Sequence, residues 1–328
     1  MAPKVGIIIL NWNGKEDTLE CLESVYRIDY PHYEVIVVDN GSTDGSVEAI
    51  KNKFQDVVLI ANKENMGFCS GNNIGIKHAL RNGANFLLIL NNDTVVKPFI
   101  IKELKKVIES DKNIGAVSPL IAYYHKPQVI QFFGTKIDWG NGDVFGQYDI
   151  KDVMASDRIW NIDYATWCAM FCRKEVIERV GFLDERFFAY YEDTDWSIRC
   201  KKIGLRTVLY PKVLAYHKGS MSTGGIYSPS VYYYLFRNRM LFIRKHASIP
   251  RKIQFSFNYI EDSIKKYKEL LKKRNKEAAK AVINALWSGL HNCLGDRKEK
   301  MPEWLKKNLN IFTEVYLWIL CIKTVLKK

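Results

Sequence analysis

No Cys-x-x-Cys pair occurs among the seven cysteines, which stand at 21, 69, 168, 172, 200, 293 and 321. Zinc ribbons and thioredoxin-like redox sites are thereby excluded. An odd number of scattered cysteines suits reduced thiols in a cytoplasmic protein. There is also no hydrophobic stretch of signal-peptide length near the start. Val5–Leu10 supplies six apolar residues, which suits a buried strand better than a leader's core. Near the other end, Val315–Ile322 is an apolar run of eight residues, well short of the ~20 that a spanning helix requires. Low-complexity segments and internal repeats are missing too. So are helix-turn-helix and zinc-finger signatures, so basic charge alone does not argue for nucleic acid. The glycine-rich segments fit neither Gly-x-Gly-x-x-Gly nor the Gly-Lys-Ser/Thr ending of a phosphate-binding loop.

What is present is a chain of 328 residues, 47% hydrophobic, enough for one large domain or a domain with an appendage. Its formal net charge of +13 is unevenly placed. From Tyr232 onward, 22 Lys and Arg face 8 Asp and Glu. The remainder is nearly neutral, at 27 against 28. Such asymmetry suits an anionic membrane surface or an acidic ligand, or merely a solvated helical face.

Apolar runs at Val5–Leu10, Val35–Val38, Val57–Ala61, Phe86–Leu90 and Ala116–Ser118 read as buried strands. Helical patterns lie between them at Asp17–Ile28, Ser46–Phe54, Asn72–Asn82 and Pro98–Ser110. This alternation predicts an α/β fold, a mainly parallel sheet with helices on both faces. Residues 119–165, with glycines among aromatic and polar residues, read as an irregular or antiparallel insertion. Helices resume near Arg173–Val180 and Thr194–Ile203. The predicted division is an α/β domain over 1–230 and a basic, mostly helical region over 231–328.

Six segments carry chemistry. Asn11, in Leu10-Asn11-Trp12-Asn13, and Asp39, in Val38-Asp39-Asn40-Gly41-Ser42, end apolar strands, where ligands of open α/β sheets bind. An amide and a carboxylate there suit a base edge or a ribose hydroxyl, and turn formation explains them equally. Asn65-Met66-Gly67-Phe68-Cys69-Ser70-Gly71-Asn72-Asn73 combines close glycines with a following helix N-terminus, a setting for an anion. Asn91-Asn92-Asp93 ends another strand, and Asp93 suits Mg²⁺ or Mn²⁺ beside a diphosphate. Tyr191-Glu192-Asp193-Thr194-Asp195-Trp196 clusters carboxylates among rings. Repulsion and desolvation there raise a pKa toward that of a general base, whereas a plain helix cap at Asp193 is the structural alternative. His217 gains interest only if it faces Asp93.

In this order, the six segments resemble family 2 of inverting glycosyltransferases with the GT-A fold, and most nearly its rhamnosyltransferase-like branch. The resemblance spans about residues 4–225. It implies that Asn11 and Asp39 hold the nucleoside and that a loop over Asn65–Asn73, with Gly67 and Asn72, lies over the donor, Asn92 lining the same pocket. It implies that Asp93 holds the metal, that His217 adds a second ligand, and that Asp193 is the base activating an acceptor. Glu192, Asp195 and Trp196 are then expected beside that acceptor. The chain departs from the family's Asp-x-Asp pattern: Asn91 and Asn92 leave Asp93 as the one carboxylate, which implies weak or easily lost metal binding.

The implied partners are a nucleoside diphosphate sugar and a glycan or lipid-linked glycan. The basic region is expected either to bring a cytoplasmic enzyme to the cytoplasmic face of an anionic membrane or to meet a second subunit as a homodimer. Two other readings stay open. A nucleotidyltransferase shares such a core but needs a basic phosphate loop, and only Lys15 lies near Asn11. A nonenzymatic sugar-nucleotide binder has the same fold.

Overall fold

The computed structural model describes residues 2–146, 148–219 and 228–291. The chain divides into two compact units, one of residues 1–136 with 145–222, the other of 137–144 with 223–328. Residues 137–144, expected in the α/β domain, group with the helical part.

The first unit is mixed α/β around a mostly parallel central sheet. It opens with β1 (Val5–Asn11), α1 (Lys15–Val25), β2 (Tyr33–Asp39), α2 (Ser46–Lys53), β3 (Val58–Ala61) and α3 (Gly67–Arg81). Then come β4 (Phe86–Asn91), β5 (Thr94–Val96), α4 (Ile100–Glu109), β6 (Ile114–Tyr123) and β7 (Lys126–Phe132). Short β8 (Thr135–Ile137) and β9 (Val144–Gly146) pair with each other. The unit closes with α5 (Ile150–Met154), β10 (Trp160–Ile162), β11 (Ala169–Arg173), α6 (Lys174–Val180), α7 (Glu192–Lys202) and β12 (Arg206–His217). The strand order is β10-β12-β6-β11-β4-β1-β2-β3.

Val5, Ile7, Ile8 and Ile9 of β1 are all fully buried. A strand covered on both faces must be apolar throughout rather than alternating, which is why this run looks continuous in the sequence. The parallel registers then decide where polar residues emerge. Asn11 stands beside Asp39, and Leu10 beside Asn91. The polar ends of β1, β2 and β4 therefore meet at the carboxyl edge of the sheet. The insertion is partly antiparallel: β7 folds back on β6 and β10 runs antiparallel to β12, while the end of β6 pairs parallel with β12; beyond it, β11 runs antiparallel between β4 and β6.

The loop expected over Asn65–Asn73 is largely helix, since α3 begins at Gly67. Packing explains it. A Cβ on Gly71 would stand 2.3 Å from Leu10 Cδ1, and one on Gly75 2.6 Å from Ile8 Cγ2. These glycines let α3 settle onto β1, so their spacing follows a helix face rather than a ligand. Gly67 has a different reason. Its φ is +82°, and a Cβ there would meet the Phe188 ring at 2.6 Å.

In the second unit, Ser228 caps α8 (Pro229–His246) by accepting from Val231 N, with Pro229 opening the helix. Two further helices follow, α9 (Ile249–Lys272) and α10 (Lys276–His291). Several aromatic and basic residues of α8, expected as a surface for lipid, turn inward, while Arg244 stays exposed. Tyr233, Tyr234, Arg237 and Arg239 are buried. Tyr233 donates to Ser288 of α10 at 3.0 Å, and Arg239 pairs with Asp143 at 2.9 Å. Among the described residues no helix is long and apolar enough to cross a membrane. The Val315–Ile322 run lies outside the described residues.

Candidate active site

At the sheet's carboxyl edge the expected donor residues form a tight polar lattice. Asn11 is fully buried. Its Nδ2 donates to Asp39 Oδ1 at 2.6 Å and to Ser42 Oγ at 3.1 Å. Its Oδ1 accepts from Thr18 Oγ1 at 2.8 Å, Asn92 Nδ2 at 3.2 Å and Gly14 N at 3.2 Å. An amide so fully engaged has nothing left for a nucleobase. Asn11 instead ties β1 to the turns after β2 and β4, and Asn92 joins it through Thr18 at 3.0 Å. Asp39 is buried as well, yet accepts only one further bond, from Ser42 N at 2.9 Å. Each of its oxygens keeps acceptor capacity.

The next residues serve α3. Asn65 Oδ1 accepts from Gly67 N at 2.8 Å and from Asn40 Nδ2 at 3.3 Å, shaping the helix start. Asn72, expected over the donor, donates to Phe68 O in its own helix at 2.9 Å. Asn73 is a clamp rather than a ligand contact. Its amide accepts from Leu183 N at 2.9 Å and donates to Leu183 O at 3.0 Å and Glu185 Oε1 at 3.1 Å. This clamp holds the segment that leads into α7.

That segment is strained. Phe188, Tyr190 and Tyr191 have φ values of +64°, +70° and +70°. Bulky residues seldom adopt this region, and such outliers collect at functional sites. Two contacts hold it on α3: Phe188 O accepts from Cys69 N at 3.1 Å, and its ring lies against Gly67.

Helix α7 begins at Glu192, so Asp193 lies within the first turn and is not the cap. Asp193 Oδ1 accepts from Thr194 N at 2.7 Å and Thr194 Oγ1 at 3.1 Å. The carboxylate is half-buried, and desolvation pushes its pKa up to about 6 against the lowering effect of Thr194. Glu192 is buried more deeply, and one of its oxygens has no partner among the described residues. Burial and then the charge of Asp193 raise its pKa well above the usual range. The two carboxyls therefore titrate as a pair, in which Glu192 keeps its proton and Asp193 gives one up first.

Asp195 and Trp196, expected beside the acceptor, are turned into the core. Both are fully buried. Asp195 pairs with Arg199 at 2.9 Å, and Arg199 donates onward to Val180 O and Phe182 O. Trp196 Nε1 donates to Gly181 O at 2.9 Å, and its ring meets Trp167 edge-on at 5.6 Å. These two residues fix α7 so that Asp193 is presented.

Asp93 and His217, far apart in sequence, do meet. The antiparallel β5–β12 register sets His217 beside Thr94. His217 Nε2 then lies 3.0 Å from Asp93 Oδ1, and both groups are buried. Burial opposes a charged imidazole, but Cys168 and Asp93 hold the His217 pKa well above its usual value. The other ring nitrogen, Nδ1, is 2.8 Å from Gln131 Oε1. Asn91 stands alongside, its amide nitrogen 3.4 Å from His217 Nε2 and its oxygen buried without a partner among the described residues. No group of three or more His, Cys, Asp or Glu side chains suited to a metal exists among the described residues. One carboxylate, one imidazole and an unpartnered amide oxygen still fit Mn²⁺ or Mg²⁺, because phosphate oxygens and water commonly complete such shells.

Reading the sequence named Asp93 and His217, which the structure brings together, and Asp193, which it sets in the first turn of α7, but it did not name Thr18 or Gln131. Neither stands in a motif. Thr18 is one polar residue in an amphipathic helix, and Gln131 lies in the irregular insertion.

A family model described as Glycosyl transferase family 2 matches residues 6–181. The chain belongs to glycosyl transferase family 2. The chain is 25% identical over 306 residues to the "Low-salt glycan biosynthesis hexosyltransferase Agl10" of Haloferax volcanii, covering 92% of this chain and 95% of the relative. Similarity to the "dTDP-rhamnosyl transferase RfbF" of Shigella flexneri is also 25%, over 256 residues, 75% of this chain and 82% of that one. The solved mannosyltransferase PcManGT of Pyrobaculum calidifontis, in complex with GDP-Man and Mn²⁺, superposes with a TM-score of 0.55 at 16% identity. It covers 89% of this chain and 88% of that one, and at such low identity it speaks to the GT-A fold alone. The family 2 chain is thus a glycosyltransferase.

Proposed function

We propose that this glycosyltransferase moves a hexose from a nucleoside diphosphate to an acceptor hydroxyl on a glycan or lipid-linked glycan, inverting the anomeric centre. The names of its relatives favour rhamnose on thymidine diphosphate, with uridine diphosphate sugars as the alternative. Asp193 is the observation that carries this reading: a half-buried carboxylate with a pKa near 6, presented after a strained turn on a helix locked from behind. A base with that pKa is mostly ionised at neutral pH and still basic enough to take a proton. Asp193 removes the hydroxyl proton as the acceptor oxygen bonds to the anomeric carbon from the face opposite the nucleotide. The bond to the diphosphate breaks, and the nucleoside diphosphate leaves with its electron pair. Glu192, kept neutral, offers an O–H donor on the acceptor side. Asp39 accepts from the nucleoside through the capacity its two bonds leave. Asp93 and His217, with Asn91 alongside, would hold Mg²⁺ or Mn²⁺, which when bound neutralises charge on the leaving diphosphate.

A thermal-shift screen of nucleotide sugars with and without Mn²⁺, followed by a hydrolysis assay on the best hit, tests this. One sugar nucleotide is expected to raise Tm in the presence of Mn²⁺ and to be slowly hydrolysed. Pyrophosphate release from a nucleoside triphosphate would instead favour a nucleotidyltransferase. Binding without hydrolysis or transfer would favour a nonenzymatic binder.

A peripheral contact with an anionic membrane is the second part of the proposal. With Arg237 and Arg239 of α8 turned inward, the support is the start of α9, where Ile249 and Ile253 are 73% and 56% exposed beside Arg251. Apolar side chains among cations suit an anionic lipid interface. Co-sedimentation with vesicles containing phosphatidylglycerol, but not with neutral ones, is the expected result. Association of the protein with itself in place of lipid would point to the homodimer.

A further inference from the structure

We infer that Gln131 is a positioning residue for the metal site, acting through His217; the inference rests on the metal reading proposed above. Gln131 is on β7, the strand that the insertion folds antiparallel onto β6. It belongs to none of the segments that carry the family's chemistry. Its Oε1 lies 2.8 Å from His217 Nδ1, while the opposite ring nitrogen, Nε2, lies 3.0 Å from Asp93 Oδ1. A carbonyl oxygen only accepts, so this contact requires the proton on Nδ1. With Nδ1 committed as a donor to Gln131, the proton a metal would displace is the one on Nε2 that pairs the ring with Asp93, and its loss would leave the Nε2 lone pair facing the metal. The bond to Gln131 fixes the rotation of the ring, leaving the imidazole plane directed at the carboxylate.

Two further observations give this contact weight. His217 ends β12, whose backbone continues into Lys218, and Lys218 N donates to Asp93 O at 3.0 Å. Lys218 Nζ in turn pairs with Asp17 of α1 at 2.7 Å. The backbone beside the site is therefore pinned, and ring orientation is the freedom that remains for Gln131 to settle. The site also has few protein donors, with Asn91 standing where a second carboxylate would add charge. Orientation of the single imidazole then weighs more than it would in a site with three ligands. Outer partners of this kind typically contribute 10–100-fold to metal affinity.

The test measures Mn²⁺ binding by loss of the free-ion paramagnetic resonance signal, with thymidine diphosphate present, in the full-length protein. Gln131→Leu is expected to weaken Mn²⁺ binding by roughly 10–100-fold. Gln131→Glu, which keeps an accepting oxygen, is expected to retain wild-type affinity or exceed it. Gln131→Met repeats the apolar test with a side chain of similar length should the leucine variant fail to fold. Unchanged Mn²⁺ affinity in the apolar variants would overturn the inference, as would an equal loss in Gln131→Glu, which would make the role one of packing. A wild-type protein that takes up no Mn²⁺ would overturn the metal reading itself, and this inference with it, and is recognised without any variant.

Discussion

Asp193→Asn is expected to lower kcat by roughly 10²–10⁴-fold, the usual contribution of a general base. Donor affinity should stay within a few-fold of wild type, because the side chain acts on the acceptor. The replacement preserves shape. An asparagine oxygen can still accept from Thr194 N, which Asp193 bonds at 2.7 Å. On the proposed role, the pH dependence of the wild type follows the same group. Asp193 must be ionised to act, so kcat/KM should rise with pH through about 6 and then level off. Stability is expected to move the other way. Folding raises the pKa of both Asp193 and Glu192, burial being the largest cause in each. Groups whose pKa is raised by folding stabilise the fold fully below their unfolded values, and that contribution is lost as pH climbs through the folded ones. At neutral pH the pair, with Asp193 ionised and Glu192 held neutral, is therefore a burden on the fold. Asp193→Asn should be at least as stable as wild type at pH 7.5 and far less active. Near-normal turnover in this variant would remove Asp193 as the base. A large drop in Tm would reassign it to structure.

Much of this was legible in the sequence, for a physical reason. Strands buried on both faces must be apolar throughout, so β1 and β4 announce themselves, and the first polar residue after each run marks the carboxyl edge. Asn11, Asp39, Asn91 and Asp93 were found that way. The same logic misassigned Asn11, because emerging at the ligand edge does not determine how many bonds an amide has already made. Asn11 makes five, and it organises the edge instead of reading a base. The glycines near Asn72 misled for a related reason. A backbone near a ligand and a helix near a strand both need a missing Cβ, and only the 2.3 Å at which a Gly71 Cβ would meet Leu10 Cδ1 distinguishes them. Asp195 and Trp196 share a motif with Asp193, yet helical geometry turns them into the core while leaving Asp193 half exposed. Gln131 could not be found at all. Its meaning depends on an antiparallel return whose register no local pattern specifies.

Asp93→Ala should separate metal from donor. In wild type, titration with the sugar nucleotide identified by the screen is expected to show much tighter binding with Mn²⁺ than without. In the variant the metal-dependent gain should fall by at least about 10²-fold, because a direct ligand is lost rather than an outer partner. Without Mn²⁺ the two proteins should bind the donor alike, since the nucleoside contacts proposed for Asp39 do not involve Asp93. The environment makes this a demanding case. His217 Nε2 sits 3.0 Å from Asp93 Oδ1, so in the absence of metal the two form an ion pair that any cation must part. That competition, together with Asn91 in place of a second carboxylate, is a physical reason for weak metal binding. It also predicts how the result can go against the reading. If Asp93→Ala loses donor affinity equally with and without Mn²⁺, the Asp93–His217 pair is a structural lock at the end of β12, and diphosphate charge must be met by some other group. If only the metal-dependent part disappears, the pair is a metal site held closed by its own ligands until the diphosphate brings the oxygens that complete it.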